Sequence, residues 1–287
     1  MTDFKRGITD KRFIESLNKL YLDENSFWHK MVSDKELFIA IRNDYINVYF
    51  KGQSLCKLTF SRNGVIKGNT HKKYIVNNTT DNTYILSENG VIKADVPYPI
   101  MSLSQVNELK YNVKRFVGNE KESSYNLVLS KEEEKIDVEI TFSETNNLKR
   151  SSIDYSIIKK EKDVVRLVFY EAKYYTNPEL VSITRPRVLD QIKRYEVYIS
   201  SQKDIITESY EQICKNMKSL GLATSDSIVS KIADGILKLE VDELPILIIF
   251  GMEEAMKNSK KWKGNLNTLE QELKPGRIII KTQSKVL

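Results

Sequence analysis

Four short runs rich in β-branched and aromatic residues, with one helix-patterned stretch among them, constrain this chain most. "IDVEITF" (136–142), "SIDYSII" (152–158), "VVRLVFYEAK" (164–173) and "LPILIIFG" (244–251) are too short for helices and carry strand composition. The last is continuously apolar, as expected of a strand buried on both faces. Between the third and fourth, residues 187–202 place Val188, Ile192, Tyr195 and Ile199 on one helical stripe. Two further helical stretches separate that stripe from the fourth strand. Helix candidates at 102–117 and 120–133, the second very acidic at "KEEEK", precede the first strand. The order is therefore α, β, β, β, α, helical insert, β, which predicts an α/β domain in a chain that is α+β overall.

The N-terminal third has a different rhythm. Residues 10–22 place Phe13, Leu17, Leu20 and Tyr21 at helical spacing, with Asp10 positioned as N-cap. From Glu36 onward, "ELFIAIR", "YINVYF" and "SLCKLTF" alternate and are punctuated by "RND", "KGQ" and "RNG", which predicts an antiparallel meander. Pro97 and Pro99 discourage regular structure, so the boundary is expected near residue 100. At 287 residues the chain can hold two cores, an N-terminal β-rich domain at 1–100 and a second domain at 101–287.

Composition removes several classes of function. No apolar stretch approaches the roughly 20 residues that span a bilayer, and the start lacks the apolar core of a signal peptide, so no membrane is expected and cytoplasm is the expected setting. Cys56 and Cys214 match no metal spacing and are expected as unpaired, buried thiols. His29 and His71, the only histidines, are expected as surface or packing residues, and HExxH, GxxxxGK[ST] and GxSxG are absent. The excess of 45 Lys plus Arg over 39 Asp plus Glu, formally +6, favours a polyanionic partner and also serves solubility.

The third strand ends in an unusual way. Glu171-Ala172-Lys173 sets a carboxylate and an ammonium two positions apart, on one face of the strand end. The same triplet starts at Asp3, Glu108, Glu133 and Glu272. Glu108 and Glu133 fall in helical stretches, Asp3 lies near a fraying end, and Glu272 precedes a proline. Only Glu171 ends an apolar strand. If strands 153–160 and 165–172 form a hairpin around Glu161-Lys162-Asp163-Val164, Asp154 lies directly opposite Glu171. Opposed residues share a face with Cβ atoms about 4.5–5.5 Å apart, so two carboxylates and one ammonium converge. A shift of one residue in register removes that opposition.

Juxtaposed carboxylates repel, so they shift their pKa values or recruit a cation. Hard oxygen ligands suit Mg²⁺ or Mn²⁺, and Mg²⁺ takes few carboxylates while keeping water and substrate phosphate oxygens. A lysine of ordinary pKa is a poor base at neutral pH. Lys173 therefore either has a depressed pKa and deprotonates water, or stabilises charge electrostatically. The bland alternative is an interstrand ion pair at a sheet end.

Asp154, followed on the next strand by Glu171-Ala172-Lys173 and then by a helix, resembles the PD-(D/E)XK phosphodiesterase superfamily, the restriction-endonuclease-like fold. The resemblance covers about residues 100–255, although Ile153 stands where the family's nominal proline would be. It implies that Asp154 and Glu171 bind the metal, with the Ala172 backbone carbonyl as a further ligand, and that Lys173 assists the nucleophile. An acid from the first helix often contributes, and Glu120, Glu122, Glu132 and Glu133 are the candidates. Gln191-Ile192-Lys193-Arg194-Tyr195 looks like the QxxxY motif of the branch that includes exonuclease domains of helicase-nuclease machines. Residues i and i+4 share a helix face, so Gln191 can orient phosphate or neighbouring groups while Tyr195 packs its ring and presents a hydroxyl. Arg185, Arg187, Lys193 and Arg194 are placed to hold phosphates. Tyr174 and Tyr175 can stack on a base but are expected as packing residues.

These readings make the second domain a Mg²⁺-dependent nuclease, with DNA favoured over RNA and an endonuclease in restriction or another defence role as the setting the resemblance implies. Two single-strand cuts sever a duplex, which makes a homodimer the expected assembly. A non-catalytic nucleic-acid or protein binding module with a nuclease-like fold and a nuclease acting on RNA are the alternatives. The N-terminal meander suits DNA recognition or a protein contact equally.

Overall fold

The computed structural model describes residues 4–76, 81–94, 97–118, 133–142, 151–162, 164–181, 185–253 and 259–282. The chain is mixed α/β, with one antiparallel and one mixed sheet and eight helices among the described residues. It divides into two compact units, one drawn from Lys5–Tyr125 and Ser209–Ile236, the other from Met1–Phe4, Asn126–Glu208 and Leu237–Leu287.

In the first unit, α1 (Lys11–Tyr21) starts where expected, with the Asp10 carboxylate accepting from the Arg12 N–H. After α2 (Phe27–Ser33) comes the meander: β1 (Leu37–Ile41), β2 (Tyr45–Phe50), β3 (Gln53–Phe60), β4 (Ile66–His71), then α3 (Lys72–Ile75), β5 (Tyr84–Glu88) and β6 (Val91–Ile92). The strands pair antiparallel in chain order. Two of the hairpins are set by backbone chemistry. Phe50↔Gln53 and Glu88↔Val91 close around Lys51-Gly52 and Asn89-Gly90, all four with positive φ, as two-residue hairpin loops that match strand twist demand. Cys56 is a buried free thiol in β3, and burial pushes its pKa up to about 12. His29 Nδ1 donates to the Tyr21 carbonyl at 2.7 Å and stacks on the Tyr21 ring, while His71 caps α3, so both histidines make local packing contacts.

The helix expected at 102–117 is α4 (Val106–Lys114), and it packs on α2, α3 and β3. It therefore belongs with the meander, and the first unit continues past the boundary expected near residue 100. The second expected helix, 120–133, lies outside the described residues, together with Glu120, Glu122 and Glu132. Its last residue is the exception, and here the sequence reading is corrected: Glu133 begins a strand, β7 (Glu133–Phe142). The acidic run gave helix propensity to a segment whose continuation, "IDVEITF", is captured by sheet pairing.

In the second unit, β7, β8 (Ser151–Glu161) and β9 (Val164–Tyr174) are consecutive antiparallel neighbours. Then follow α5 (Val188–Ser201), α6 (Lys203–Ser219), β10 (Leu239–Val241), β11 (Ile246–Met252), α8 (Lys260–Glu272) and β12 (Ile278–Thr282), while α7 (Ile228–Ala233) belongs to the first unit. The division between units falls within α6. The sheet order is β12-β11-β9-β8-β7, with β10 beside the first half of β9 and β11 parallel to its second half. As its composition demands, β11 is buried from Leu247 through Met252. α5 packs on β8, and Phe142 of β7 stacks on Tyr198 of that helix at 5.3 Å.

The β8–β9 register is the expected one, from Tyr155↔Tyr170 to Glu161↔Val164. The loop is tighter than anticipated: Glu161 and Val164 pair, leaving two residues between the strands instead of four, with Lys162 at φ 56.

Gly251 sits at a register shift between β11 and β12, with φ 77. A Cβ there would come within 2.1 Å of the Tyr174 ring. Gly251→Ala is expected to cost about 2–4 kcal/mol, from left-handed strain plus overpacking. A lowered midpoint in urea unfolding at unchanged slope would register it, and an unchanged midpoint would show that Tyr174 yields freely.

Candidate active site

The site grows from the end of the central strand. Glu171 is only 2 % exposed because β9 has neighbours on both sides: β8 on one, and on the other β11, where Leu247 and Ile249 pair with Glu171 and Lys173. Backbone pairing with β8 ends at Tyr155↔Tyr170. One step beyond, the half-buried Asp154 carboxylate takes over, with Oδ2 accepting from the Ala172 N–H at 2.7 Å. A side chain thus substitutes for a ladder carbonyl, which holds Asp154 beside the Glu171-Ala172-Lys173 segment.

Lys173 Nζ bridges two carboxylates, Glu171 Oε1 at 2.8 Å and Glu179 Oε2 at 2.7 Å. Burial raises the Glu171 pKa, and the facing Asp154 charge adds to it. Lys173 and Tyr195 offset this only in part, leaving Glu171 at about 8. Burial alone would lower Lys173, but attraction to Glu171 and Glu179 outweighs it and the pKa is raised. Protonating Glu171 removes one of these anions, and Glu179 keeps the other in place. Lys173 is therefore held as a cation, which favours the electrostatic role over the depressed-pKa base.

Gln191 and Tyr195 meet as the helical spacing predicts: Gln191 Nε2 donates to the Tyr195 hydroxyl at 2.6 Å. That hydroxyl in turn donates to the Ser152 carbonyl, two residues before Asp154. Tyr195 is fully buried, with Phe142 6.3 Å away, so it is at once core and tether between α5 and the Asp154 strand. Burial, then the Glu171 charge, raises its pKa far above the ordinary phenol range.

Within this site Glu171 Oε2 and Gln191 Oε1 are buried acceptors without a hydrogen-bond partner among the described residues. An unsatisfied buried carboxylate oxygen costs free energy that a cation recovers. Among the described residues no group of three or more His, Cys, Asp or Glu side chains forms a metal cluster. The acids the strand end brings together are the Asp154 and Glu171 carboxylates, whose charges act on one another.

The basic residues around the helix are differently disposed. Arg185 pairs with Asp190 and lies 3.5 Å from Glu272, which Lys193 also reaches at 3.1 Å. These exposed pairs are screened by solvent and weakly held. Arg187 is the exposed N-cap of α5, and Arg194 is half-buried on it. Tyr174 and Tyr175 pack on Phe250 and Trp262, as expected.

In comparison with known proteins, no family model, no curated protein and no solved structure matches the chain. The site is therefore read from its own chemistry. Glu179 escaped sequence reading because its partner lies across the Tyr174–Pro178 turn and no motif spacing marks it. A lysine flanked by two acids within nine residues, Glu171 and Glu179, was the available signal.

Proposed function

We propose that the chain is a Mg²⁺-dependent nuclease, with Mn²⁺ as a substitute, that hydrolyses phosphodiester bonds in DNA as an endonuclease on a restriction-endonuclease-like, PD-(D/E)XK scaffold. The observation that carries this reading is the β8–β9 register, which brings the Asp154 carboxylate onto Ala172 N–H and its charge against Glu171. The order of β7, β8 and β9, then α5 on β8, then β11 parallel to β9, supports the scaffold. No helix among the described residues is long and apolar enough to cross a membrane; the setting proposed is the cytoplasm, with defence against foreign DNA as the role.

Asp154, Glu171 and the Ala172 carbonyl would hold the metal. Bound there, Mg²⁺ would polarise the phosphoryl group, lower the pKa of a water and neutralise charge on the attacking and leaving oxygens. Lys173 presents a fixed positive charge, held in place by Glu179, to the non-bridging oxygens as negative charge builds. Gln191, with its buried Oε1 to spare, and Tyr195 hold the α5 side of the site against Ser152.

Purified protein incubated with labelled DNA or RNA, in Mg²⁺ or EDTA, tests the reading. Cleavage of DNA that EDTA stops is expected, while cleavage of RNA alone would reassign the substrate. Cutting of neither, together with absence of Mg²⁺ binding by calorimetry, would leave the site as an interstrand ion pair.

A further inference from the structure

The antiparallel sheet of the first unit has one buried and one open face. On β2 to β5 the alternate positions Ile46, Val48, Cys56, Leu58, Ile66, Thr70, Ile85 and Ser87 are buried. The opposite positions are open to different degrees and form a cross-strand lattice: Tyr45↔Thr59, Asn47↔Lys57, Lys57↔Asn69, Asn69↔Leu86 and His71↔Tyr84. A solvent face of this kind normally carries mixed charge. This one carries rings and cations.

Tyr84 is 66 % exposed, and its ring lies 5.2 Å from that of His71. Leu86, two positions on, is 51 % exposed. Lys57 Nζ stands 4.1 Å from the Tyr45 ring centroid, and Lys67 is exposed between Thr59 and Glu88. Two acids border this face, each next to a lysine: Glu88 near Lys93 at 3.9 Å, and Asp81, beside His71, paired with Lys72 at 2.8 Å.

We propose that this open sheet face binds single-stranded nucleic acid, stacking unpaired bases on Tyr84, His71 and Tyr45 while Lys57 and Lys67 meet the phosphates. Exposed rings with interleaved cations are complementary to a polyanion whose bases have free π faces. A duplex hides those faces and is read through grooves, for which a flat sheet face offers no helix or ribbon. Lysine is depleted from the centres of protein–protein interfaces, yet Lys57 stands mid-face here. The proposal rests on the nucleic-acid reading for the class of ligand, but it concerns a surface within the first unit.

The test is fluorescence anisotropy of the full chain in EDTA, where no cleavage occurs, with labelled oligo-deoxythymidine, oligo-uridine and a DNA duplex. Binding of either single strand is expected, with Tyr84→Ala weakening it by about 5- to 150-fold, the range for one lost base stack. Lys57→Ala with Lys67→Ala should flatten the salt dependence by a slope of about 0.7 per lysine. Tyr84 is exposed, so its variant should melt as the wild type does. The proposal is overturned if wild type binds neither single strand, if Tyr84→Ala binds unchanged, or if the duplex binds as tightly with the same sensitivity. Self-association that Tyr84→Ala abolishes would make the face a protein contact and overturn it too. A chain that cuts nothing yet binds through Tyr84 refutes the nuclease reading alone; a chain that cuts DNA but is indifferent to Tyr84→Ala in this assay refutes the binding face alone.

Discussion

Glu171→Gln is expected to abolish Mg²⁺-dependent cleavage and, in the same protein, to flatten the fall of stability with pH. The two effects share one cause, a carboxylate buried beside Asp154. In the folded chain Glu171 keeps its proton up to about pH 8, whereas the unfolded chain releases it near the ordinary value of 4.5. Between these values unfolding releases a proton, so raising the pH favours the unfolded state. This contribution is present in full below about 4.5 and is lost as pH rises to about 8, a change of a few kcal/mol. Thermal melts of wild type and Glu171→Gln from about pH 5 to about pH 9 check it: the wild-type curve should descend more steeply. The same linkage predicts that Mg²⁺ binds more tightly as pH rises through this window, with proton release visible as a buffer-dependent enthalpy. Loss of cleavage should exceed the about 10–100-fold typical of a lost outer partner of a metal ligand. Parallel melting curves would refute the assigned protonation, and full cleavage by the glutamine variant would remove Glu171 from the active site.

Lys173 supplies the second large effect. Because Glu171 and Glu179 hold its ammonium at 2.8 and 2.7 Å and raise its pKa, the role proposed for it is that of a charge and not of a base. Lys173→Ala should lower the cleavage rate by about 10²–10³-fold, the usual range for a lost preorganised electrostatic group. Lys173→Arg should retain a clear part of the activity, with a pH profile parallel to that of the wild type, since a guanidinium keeps the charge but cannot accept a proton. Single-turnover rates across pH for the three proteins decide the point. Equal loss in both variants would mean that the lysine must give up its proton, and the electrostatic role would fall.

Much of this was legible because local chemistry and tertiary pairing agree. Asp10 caps the first helix, the "KGQ" turn closes the β2–β3 hairpin at Lys51-Gly52, and the apolar run at 244–251 becomes β11, buried from Leu247 through Met252. Hairpin register propagates from a turn, so it was countable from the chain, and the count that put Asp154 beside Glu171 agrees with the pairing up to Tyr155↔Tyr170. The helical period likewise brought Gln191 to Tyr195.

Where competing elements are decided by distant partners, the chain was silent or misleading. Glu133 lies in a run of helix-forming residues, yet β8 draws it into a strand. β12, which pairs with β11, was missed although Ile278-Ile279-Ile280 is a short β-branched run. The sequence by itself determined the order of β7, β8, β9, α5 and β11, the hairpin register and the acid-lysine pattern, because each depends on neighbours a few residues away. Only the tertiary structure decided the electrostatics. The burial of Glu171 by β11, the clamp of Glu179 on Lys173 and the tether of Tyr195 to Ser152 come from segments that folding alone brings together, and low-dielectric burial is what turns a polar strand end into a shifted pair of charges.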